Sequence, residues 1–330
     1  MTILTSCENL PRVYEYIESN IIIETGDYKL PGKLTMPEIE DKVPAVVFVH
    51  GSGASDMNES IGALKLFEEL AIKLAKNGIA SIRYDKRTYV YKEQLATKLD
   101  FTIYDEVIDD AVSAINQLQL NENIGDIYVI GHSFGGQLAP VIVNKTNIKG
   151  VIILAGTTEH IIDIAMNQLK EQNSPYYDIY DPYDEYFKNI KEVIPSEVGY
   201  YFMGAFEKYW VSYNNIDMNN EILLCAENKK MSILQGGLDL QVKSTALDNY
   251  KIFLSNSHNI SIRNNDFKEF TVVNGKIDIL EDLTFNEEYN VADIYYKGRW
   301  KTVALEEGKL TIELYCGDGI IILPYKEGKQ

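Results

Sequence analysis

A serine set between glycines is the residue of this chain best suited to chemistry. Ser133 lies within Gly131-His132-Ser133-Phe134-Gly135-Gly136, after the apolar run 126–130 and before 137–143, a segment with the character of a helix. Glycine two residues before and two residues after a serine, at a turn from strand to helix, is the pattern of a nucleophile elbow. Such a turn strains the serine backbone and needs glycine where the strand and the helix nearly touch. It presents a hydroxyl beside the N–H groups of a helix start, an arrangement suited to acyl transfer.

To hold Ser133 in this way, the chain must supply a sheet and helices around it. Apolar runs predict strands at 20–25, 28–36, 44–50, 79–84, 126–130, 150–156 and 231–235. Helical periodicity predicts helices at 12–20, 59–77 and 103–118, besides the helix that follows Ser133. Gly26-Asp27 predicts a two-residue turn between the first two strands. Strands that alternate with helices at this spacing predict an α/β fold with a doubly wound, mostly parallel sheet.

We expect three parts in the chain. Residues 1–156 and 231–266 form the α/β core, and residues 157–230 form an inserted helical cap or lid. The cap is rich in aromatic side chains, which either line a substrate pocket or bury the cap against the core; packing is the commoner use. Short strands separated by turns such as Asn274-Gly275 predict a small C-terminal all-β module, a β-sandwich or β-meander, over residues 267–330.

The composition argues against several classes of partner. A net charge of −18 would repel nucleic acids and anionic membranes, so we expect neither as a partner. The three cysteines are scattered without metal-ligand spacing, as is typical of reduced thiols. No basic segment followed by an apolar core opens the chain, and we expect a soluble cytoplasmic protein. No pattern indicates a metal site, a P-loop or a dinucleotide fingerprint, and we expect no cofactor.

Four motifs, taken in order, resemble the α/β-hydrolase superfamily, and more narrowly bacterial serine hydrolases of the acyl-esterase and dienelactone-hydrolase kind. The motifs are His50-Gly51-Ser52-Gly53, Arg83-Tyr84-Asp85-Lys86-Arg87, the glycine-flanked serine at 131–136, and Gln235-Gly236-Gly237-Leu238-Asp239-Leu240-Gln241-Val242. The resemblance covers about residues 20–265. It implies a site for acyl transfer with nucleophile, acid and base in that chain order, acting on a small-molecule acyl ester.

The resemblance assigns roles residue by residue. Ser133 matches the nucleophile, and its hydroxyl oxygen would attack an ester or amide carbonyl to give an acyl-enzyme. The backbone N–H groups of Ser52 and Phe134 match the oxyanion hole. Asp239 matches the acid, since it follows a strand in a glycine-rich turn; the alternative is an ordinary turn aspartate. A carboxylesterase is the simplest expectation; peptidase activity uses the same residues, so the sequence does not separate the two.

The base is the weak point of the resemblance. Of the four histidines, only His258 follows Asp239, as the order of the triad requires. The family usually places its histidine after the last sheet strand, and the best match to that context is Asn264-Asn265-Asp266-Phe267, with Asp266 at the position of the base. His258 also precedes a candidate strand at 259–263. Two hypotheses follow: a serine esterase with His258 as base, or a catalytically impaired relative that binds a ligand or acts as an interaction protein.

A charged cluster follows the strand predicted at 79–84. Arg83, Asp85, Lys86 and Arg87 fall at the carboxyl end of that strand, the side on which open parallel sheets bind ligands. These side chains either orient an anionic group of a substrate or form ion pairs that brace the loops.

The sequence does not predict an oligomeric state.

Overall fold

The structure is a computed structural model. It describes residues 13–193, 199–236, 239, 241–242, 246 and 249–250, and in the C-terminal part residues 278–279, 283–284, 290–296, 299–304, 309–310, 313–314 and 320–325. The chain separates into two compact units, one spanning Arg12–Ile260 and the other containing Ser261–Gln330.

The first unit alternates strands and helices over most of its length. Its strands are β1 (Tyr16–Thr25), β2 (Tyr28–Pro37), β3 (Val43–Val49), β4 (Ser60–Ile61), β5 (Leu64–Lys65), β6 (Ala80–Tyr84), β7 (Ile124–His132), β8 (Gly150–Leu154), β9 (Tyr201–Phe202), β10 (Ala205–Phe206) and β11 (Lys230–Leu234). Its helices are α1 (Leu66–Lys76), α2 (Arg87–Val90), α3 (Lys92–Leu95), α4 (Asp109–Gln119), α5 (Phe134–Asn144), α6 (Ile161–Glu171), α7 (Tyr176–Tyr180), α8 (Asp184–Asn189), α9 (Glu207–Asn214) and α10 (Met218–Asn228). A π-helical turn, Tyr104–Ile108, leads directly into α4.

Seven of these strands form the main sheet of the described residues, in the order β1-β2-β6-β3-β7-β8-β11. The five strands from β6 to β11 pair in parallel, whereas β2 is antiparallel to both β1 and β6. This confirms the predicted α/β class with its mostly parallel sheet. The hairpin of β1 and β2 turns at the predicted Gly26-Asp27, pairs Thr25 with Tyr28, and gives Gly26 a φ of 56°.

Helices cover the sheet on both faces, and β3 shows how its sequence provides for this. Val46 and Phe48 pack with Phe67 and Ala71 of α1 on one face. Residues 45, 47 and 49 point to the other face, where they join the larger core that includes α4 and α5. Because a strand sends alternate side chains to opposite faces, burial on both sides requires the unbroken apolar run that the sequence has here.

Two predicted helices are wrong in part or in whole. The helix expected at 12–20 is absent, since β1 begins at Tyr16 and pairs with β2 over ten residues. The tertiary pairing of the hairpin outweighs the local helical pattern. The helix expected at 59–77 begins only at Leu66, because the small hairpin of β4 and β5 occupies 60–65 and Glu59 has a left-handed backbone, with φ 50°.

The segment between β8 and β11 packs onto the sheet through aromatic side chains. Phe187, Phe202, Tyr209, Trp210 and Tyr213 are buried and belong to the same hydrophobic core as the strands. A second set of aromatic residues from this segment is exposed: Tyr176, Tyr183, Tyr186, Tyr200 and Tyr201. Packing against the core therefore accounts for some of the aromatic residues and not for others.

The described part of the second unit consists of antiparallel strands. They are β12 (Asp278–Ile279), β13 (Leu283–Thr284), β14 (Val291–Tyr296), β15 (Arg299–Ala304), β16 (Lys309–Leu310), β17 (Glu313–Leu314) and β18 (Ile320–Tyr325). The central strand β14 pairs with β15 on one side and β18 on the other. Five short strands that the sequence predicts in this region, at 276–280, 291–296, 300–305, 309–315 and 320–325, coincide with or overlap these elements. The strands expected at 259–263 and 270–273 lie outside the described residues.

Among the described helices, none is long and apolar enough to cross a membrane.

Candidate functional site

Ser133 lies at a strained bend between β7 and α5. Its φ of 52° and ψ of −117° are those of neither a strand nor a helix, and it is the N-cap of α5. Its N–H donates to the carbonyl of Leu154 at the end of β8, and its carbonyl accepts from the N–H of Gln137, both within 3.0 Å. The side chain is only partly buried. The bend therefore lifts a serine hydroxyl clear of the carboxyl edge of the sheet.

The glycines around Ser133 are there because the backbones touch. A Cβ at Gly131 would collide with the backbone of Gly135, and a Cβ at Gly135 would collide with the carbonyls of Val49 and His50. A Cβ at Gly136 would lie 2.9 Å from the carbonyl oxygen of Gly131. Only glycine allows β7, α5 and the end of β3 to approach this closely.

The corner after β3 lies directly against Ser133. A Cβ on Gly51 would lie 3.3 Å from the Cβ of Ser133. Gly51 is held by Glu59, whose buried Oε1 accepts the Gly51 N–H at 2.6 Å. The next residue, Ser52, is exposed. Within the described residues, neither the N–H of Ser52 nor that of Phe134 donates to a backbone acceptor.

Asp239 sits in a turn that follows β11. Its Oδ1 accepts the N–H groups of Gln241 and Val242, at 2.8 and 3.0 Å. Its Oδ2 accepts from the side-chain amide of Gln235 at 3.3 Å. These bonds fix the carboxylate and leave Oδ2 with room for one further donor.

Ser133 and Asp239 follow strands that end at the same edge of the sheet. The Ser133 N–H bonds to the last residue of β8, and the Ala155 N–H bonds to Leu234, the last residue of β11. The ends of β7, β8 and β11 are thus in line, and β7 and β11 are two strand spacings apart, about 10 Å.

His50 is engaged in the fold rather than available as a base. Its ring is buried, and Nε2 lies 3.0 Å from the carbonyl oxygen of Asp56. Because a carbonyl only accepts, Nε2 carries the proton and donates it. Burial lowers the pKa of His50 to about 4, so the ring is neutral at neutral pH and too weak a base to activate a serine there.

His160 is also fully bonded. Its Nδ1 accepts the N–H of Ile162 at the start of α6, and its Nε2 lies 2.9 Å from Oδ1 of Asn214, to which it donates. Burial lowers the pKa of His160 below its ordinary value. The ring is therefore a neutral cap of α6.

His132 is the histidine next to the bend. Its Nδ1 lies 2.9 Å from Oε2 of Glu59, off-line for a hydrogen bond, and about a quarter of its side chain is exposed. The predicted base His258, and Asp266, which occupies the position of the base in the family pattern, both lie outside the described residues.

The charged cluster after β6 is engaged in internal pairs. Arg83 donates to Glu18 at 2.6 Å, and Lys86 donates to Glu106 at 2.7 Å. Arg87 pairs with Asp110, and Asp85 accepts the N–H of Met57. All three cations are buried. Of the two interpretations of this cluster, the structure supports ion pairs that brace the loops.

Sequence reasoning missed Glu59 and the partners of Lys86. Glu59 fell inside a predicted helix, and a left-handed glutamate in a loop has no sequence signature. Lys86 was identified only as a member of the cluster, because its partner Glu106 is twenty residues away in an unrelated helix. Among the described residues, no group of three potential metal ligands occurs.

A cavity of about 160 Å³ lies beside the turn that contains Asp239. Its described lining comes from the start of the segment after β8, from α6 and from the residues after Asp239: Thr157, Glu159, Ile164, Asn167, Gln168, Glu171, Gln241, Val242 and Ala246. Ser133 is not among them, so we do not assign the reacting group of a substrate to this cavity.

A parallel sheet with an antiparallel hairpin at one edge and a strained serine between a central strand and a glycine-rich helix start defines the α/β hydrolases. The described residues of the chain have that fold. A family model described as serine aminopeptidase, S33, matches residues 41–173. The esterase EstD of Thermotoga maritima is 33% identical over 238 residues, which are 71% of this chain and 55% of EstD. The chain thus matches little more than half of the length of that relative.

Solved structures of esterases resemble this one at lower identity. Est1E from Butyrivibrio proteoclasticus superposes with a TM-score of 0.48 at 19% identity, over 72% of this chain and 84% of Est1E. The Pyrococcus furiosus esterase Pf2001 does so with a TM-score of 0.46 at 18% identity, over 73% of this chain and 76% of that one.

Proposed function

We propose that the protein is a serine hydrolase that cleaves small acyl esters through an acyl-enzyme on Ser133. The observation that carries the proposal is the left-handed Ser133, partly exposed at the start of α5 and in contact with the Gly51-Ser52 corner. A strained serine with free N–H groups beside it is suited to nucleophilic attack and to little else.

The reaction follows from this geometry. The hydroxyl oxygen of Ser133 attacks the ester carbonyl, and the carbonyl oxygen becomes an oxyanion. The N–H groups of Ser52 and Phe134 donate to that oxyanion. The base that takes the serine proton returns it to the leaving alcohol, and water then releases the acid by the same steps in reverse. Asp239 holds the base through its Oδ2.

His258 is our first candidate for the base. Two of the other three histidines, His50 and His160, are neutral and are hydrogen-bonded within the fold. His50 is bonded through Nε2, and His160 is bonded through both ring nitrogens. His132 is the rival, because it precedes Ser133 and has a carboxylate, that of Glu59, at its Nδ1. In that alternative, the pair of His132 and Glu59 would replace His258 and Asp239.

The relatives favour ester over amide substrates. EstD is an esterase, whereas the matching family model is described as a serine aminopeptidase. The chemistry of Ser133 serves either substrate, and the 33% identity to EstD makes an ester the first choice.

Hydrolysis of p-nitrophenyl acetate by three variants tests the proposal and its base. We expect Ser133→Ala and His258→Ala each to lower kcat by on the order of 10⁶-fold, since the members of a triad act as a unit. His132→Gln should retain kcat within about tenfold. Loss in His132→Gln with normal turnover in His258→Ala would make His132 the base. A Ser133→Ala variant as active as the wild type, or an inactive wild type, would overturn the proposal; the second result favours an impaired relative.

A further inference from the structure

We propose that Lys86 is a positioning residue that aims the Ser52 N–H at the oxyanion, and that Glu106 and Tyr209 hold Lys86 in place. This inference rests on the proposed function, because it concerns the oxyanion hole of that reaction. Nothing in the family motifs assigns this task to a lysine that lies away from the reacting atoms.

Lys86 is a buried cation with two acceptors. Only 2% of the residue is exposed. Its Nζ donates to the carbonyl oxygen of Gly51 at 2.9 Å and to Oε1 of Glu106 at 2.7 Å. The first of these bonds reaches the corner that touches Ser133, and the second supplies the opposite charge that a buried ammonium needs.

The bond to Gly51 fixes the direction of the next N–H. The carbonyl of Gly51 and the N–H of Ser52 belong to one planar trans peptide group, and they point in opposite directions. When Lys86 draws the carbonyl to one side, the Ser52 N–H must point to the other. That N–H is one of the two donors proposed to stabilise the oxyanion, so Lys86 sets its aim without touching the substrate.

Glu59 fixes the preceding peptide group in the same way. Its Oε1 accepts the Gly51 N–H at 2.6 Å. Gly51 therefore has a charged partner on its N–H and another on its carbonyl. Because glycine has the greatest backbone freedom of any residue, an unpinned Gly51 would let the Ser52 N–H rotate away.

Tyr209 completes the support of Lys86 from α9. Its hydroxyl donates to Oε2 of Glu106 at 2.5 Å, and both residues are buried. Burial and the charge of Glu106 raise the pKa of Tyr209 well above its ordinary value, so the hydroxyl keeps its proton and remains a donor. Glu106 itself comes from the π-helical turn before α4. Its carboxylate therefore joins that turn to the segment of Lys86 and to α9.

A purely structural role for Lys86 is the alternative, since losing one partner of a buried ion pair destabilises a protein. Two variants separate the roles. Lys86→Met leaves Glu106 unpaired, whereas Lys86→Met/Glu106→Gln removes both charges. The double variant should regain thermal stability relative to the single variant, yet the Gly51 carbonyl still lacks its donor. Positioning therefore predicts low kcat in both.

The experiment measures kcat, KM and the inhibition constant of a trifluoromethyl ketone, whose bound form carries an oxyanion, together with the melting temperature. We expect both variants to lose about 10- to 100-fold in kcat, somewhat less than deletion of an oxyanion donor. KM should change by less than about threefold, and inhibition should weaken in proportion to kcat/KM. Arg87→Met/Asp110→Asn removes another buried ion pair that does not contact Gly51, and it should retain kcat.

Wild type and Ser133→Ala are assayed beside these variants. If wild-type activity depends on Ser133 and the double variant regains kcat along with stability, Lys86 only stabilises the fold and the inference is wrong, while the proposed function stands. The inference also fails if neither variant loses kcat. If the wild type has no activity that depends on Ser133, the proposed function fails first and the inference with it.

Discussion

Ser133 has a backbone conformation that a residue with a side chain avoids, and its neighbours explain why it persists. A left-handed residue other than glycine costs about 1–2 kcal/mol. Here the N–H of Ser133 is bonded to Leu154 and its carbonyl to Gln137, so any other conformation would break two bonds at once. Glu59 also has a positive φ, of 50°, and its buried carboxylate accepts the Gly51 N–H.

His50, one residue before Gly51, gives a prediction for stability against pH. Burial lowers its pKa from 6.5 to about 4 in the folded protein. Between those values the unfolded chain binds a proton that the folded protein refuses. The stability due to neutral His50 is therefore complete above pH 6.5 and is lost as the pH falls towards 4. This loss amounts to about 3 kcal/mol.

His50→Gln removes this titration and keeps a side-chain N–H for the carbonyl of Asp56. Urea unfolding of both proteins from pH 7 to pH 4 measures the difference. We expect the free energy of unfolding to fall more steeply for the wild type, by about 3 kcal/mol over that range. Parallel curves for the two proteins would show that folding does not lower the pKa of His50.

At the scale of the element, the bend at Ser133 between β7 and α5 (the elbow) is a contact between three backbones. β7, α5 and the end of β3 meet where Gly131 and Gly135 have no side chain. The sequence predicts this element well, because tight backbone contact requires glycine at fixed spacing. It predicts only residues 20–25 of β1, because the first residues of that strand are held by their pairing with β2 and not by a local strand pattern.

Gly135→Ala tests the contact of the elbow. Its Cβ would collide with the carbonyl oxygens of Val49, the last residue of β3, and of His50, which follows it. We expect a loss of about 1–3 kcal/mol or more in the free energy of unfolding, measured in urea. Gly125→Ala is the matched control within β7, since the nearest atom to its Cβ would be 3.6 Å away. Equal losses in the two variants would contradict the account of the elbow.

At the scale of the whole molecule, a buried side chain of α5 forms hydrogen bonds to the segment between β8 and β11. Gln137 of α5 donates its amide to the carbonyls of Thr157 and Glu159, and its Oε1 accepts the hydroxyl of Tyr213 in α9. The three bonds of Gln137 join residues 20 to 76 positions apart, and the bond between Tyr209 and Glu106 joins residues 103 positions apart. Sequence patterns report local spacing, so they single out Ser133 and Asp239 as candidates but do not predict the contacts of Gln137, or those of Lys86 with Glu106 and Tyr209.

Gln137→Leu keeps the shape of the side chain and removes its hydrogen bonds. Because two carbonyls and the Tyr213 hydroxyl proton would lose their partner, we expect a loss of about 2–4 kcal/mol in the free energy of unfolding. Gln119→Leu, at an exposed position at the end of α4, should change it by less than about 0.5 kcal/mol. Denaturant unfolding measures both, and an equally small effect of Gln137→Leu would mean that the segment does not depend on this tie.

The central claim is that the hydroxyl of Ser133 is the nucleophile. A fluorophosphonate probe tests it most directly, because the probe forms a stable bond only with an activated serine. We expect mass spectrometry to find one probe per chain, on the peptide that contains Ser133, and none on Ser133→Ala. A probe attached to a different residue, or no labelling of a wild-type protein that hydrolyses esters, would contradict the claim.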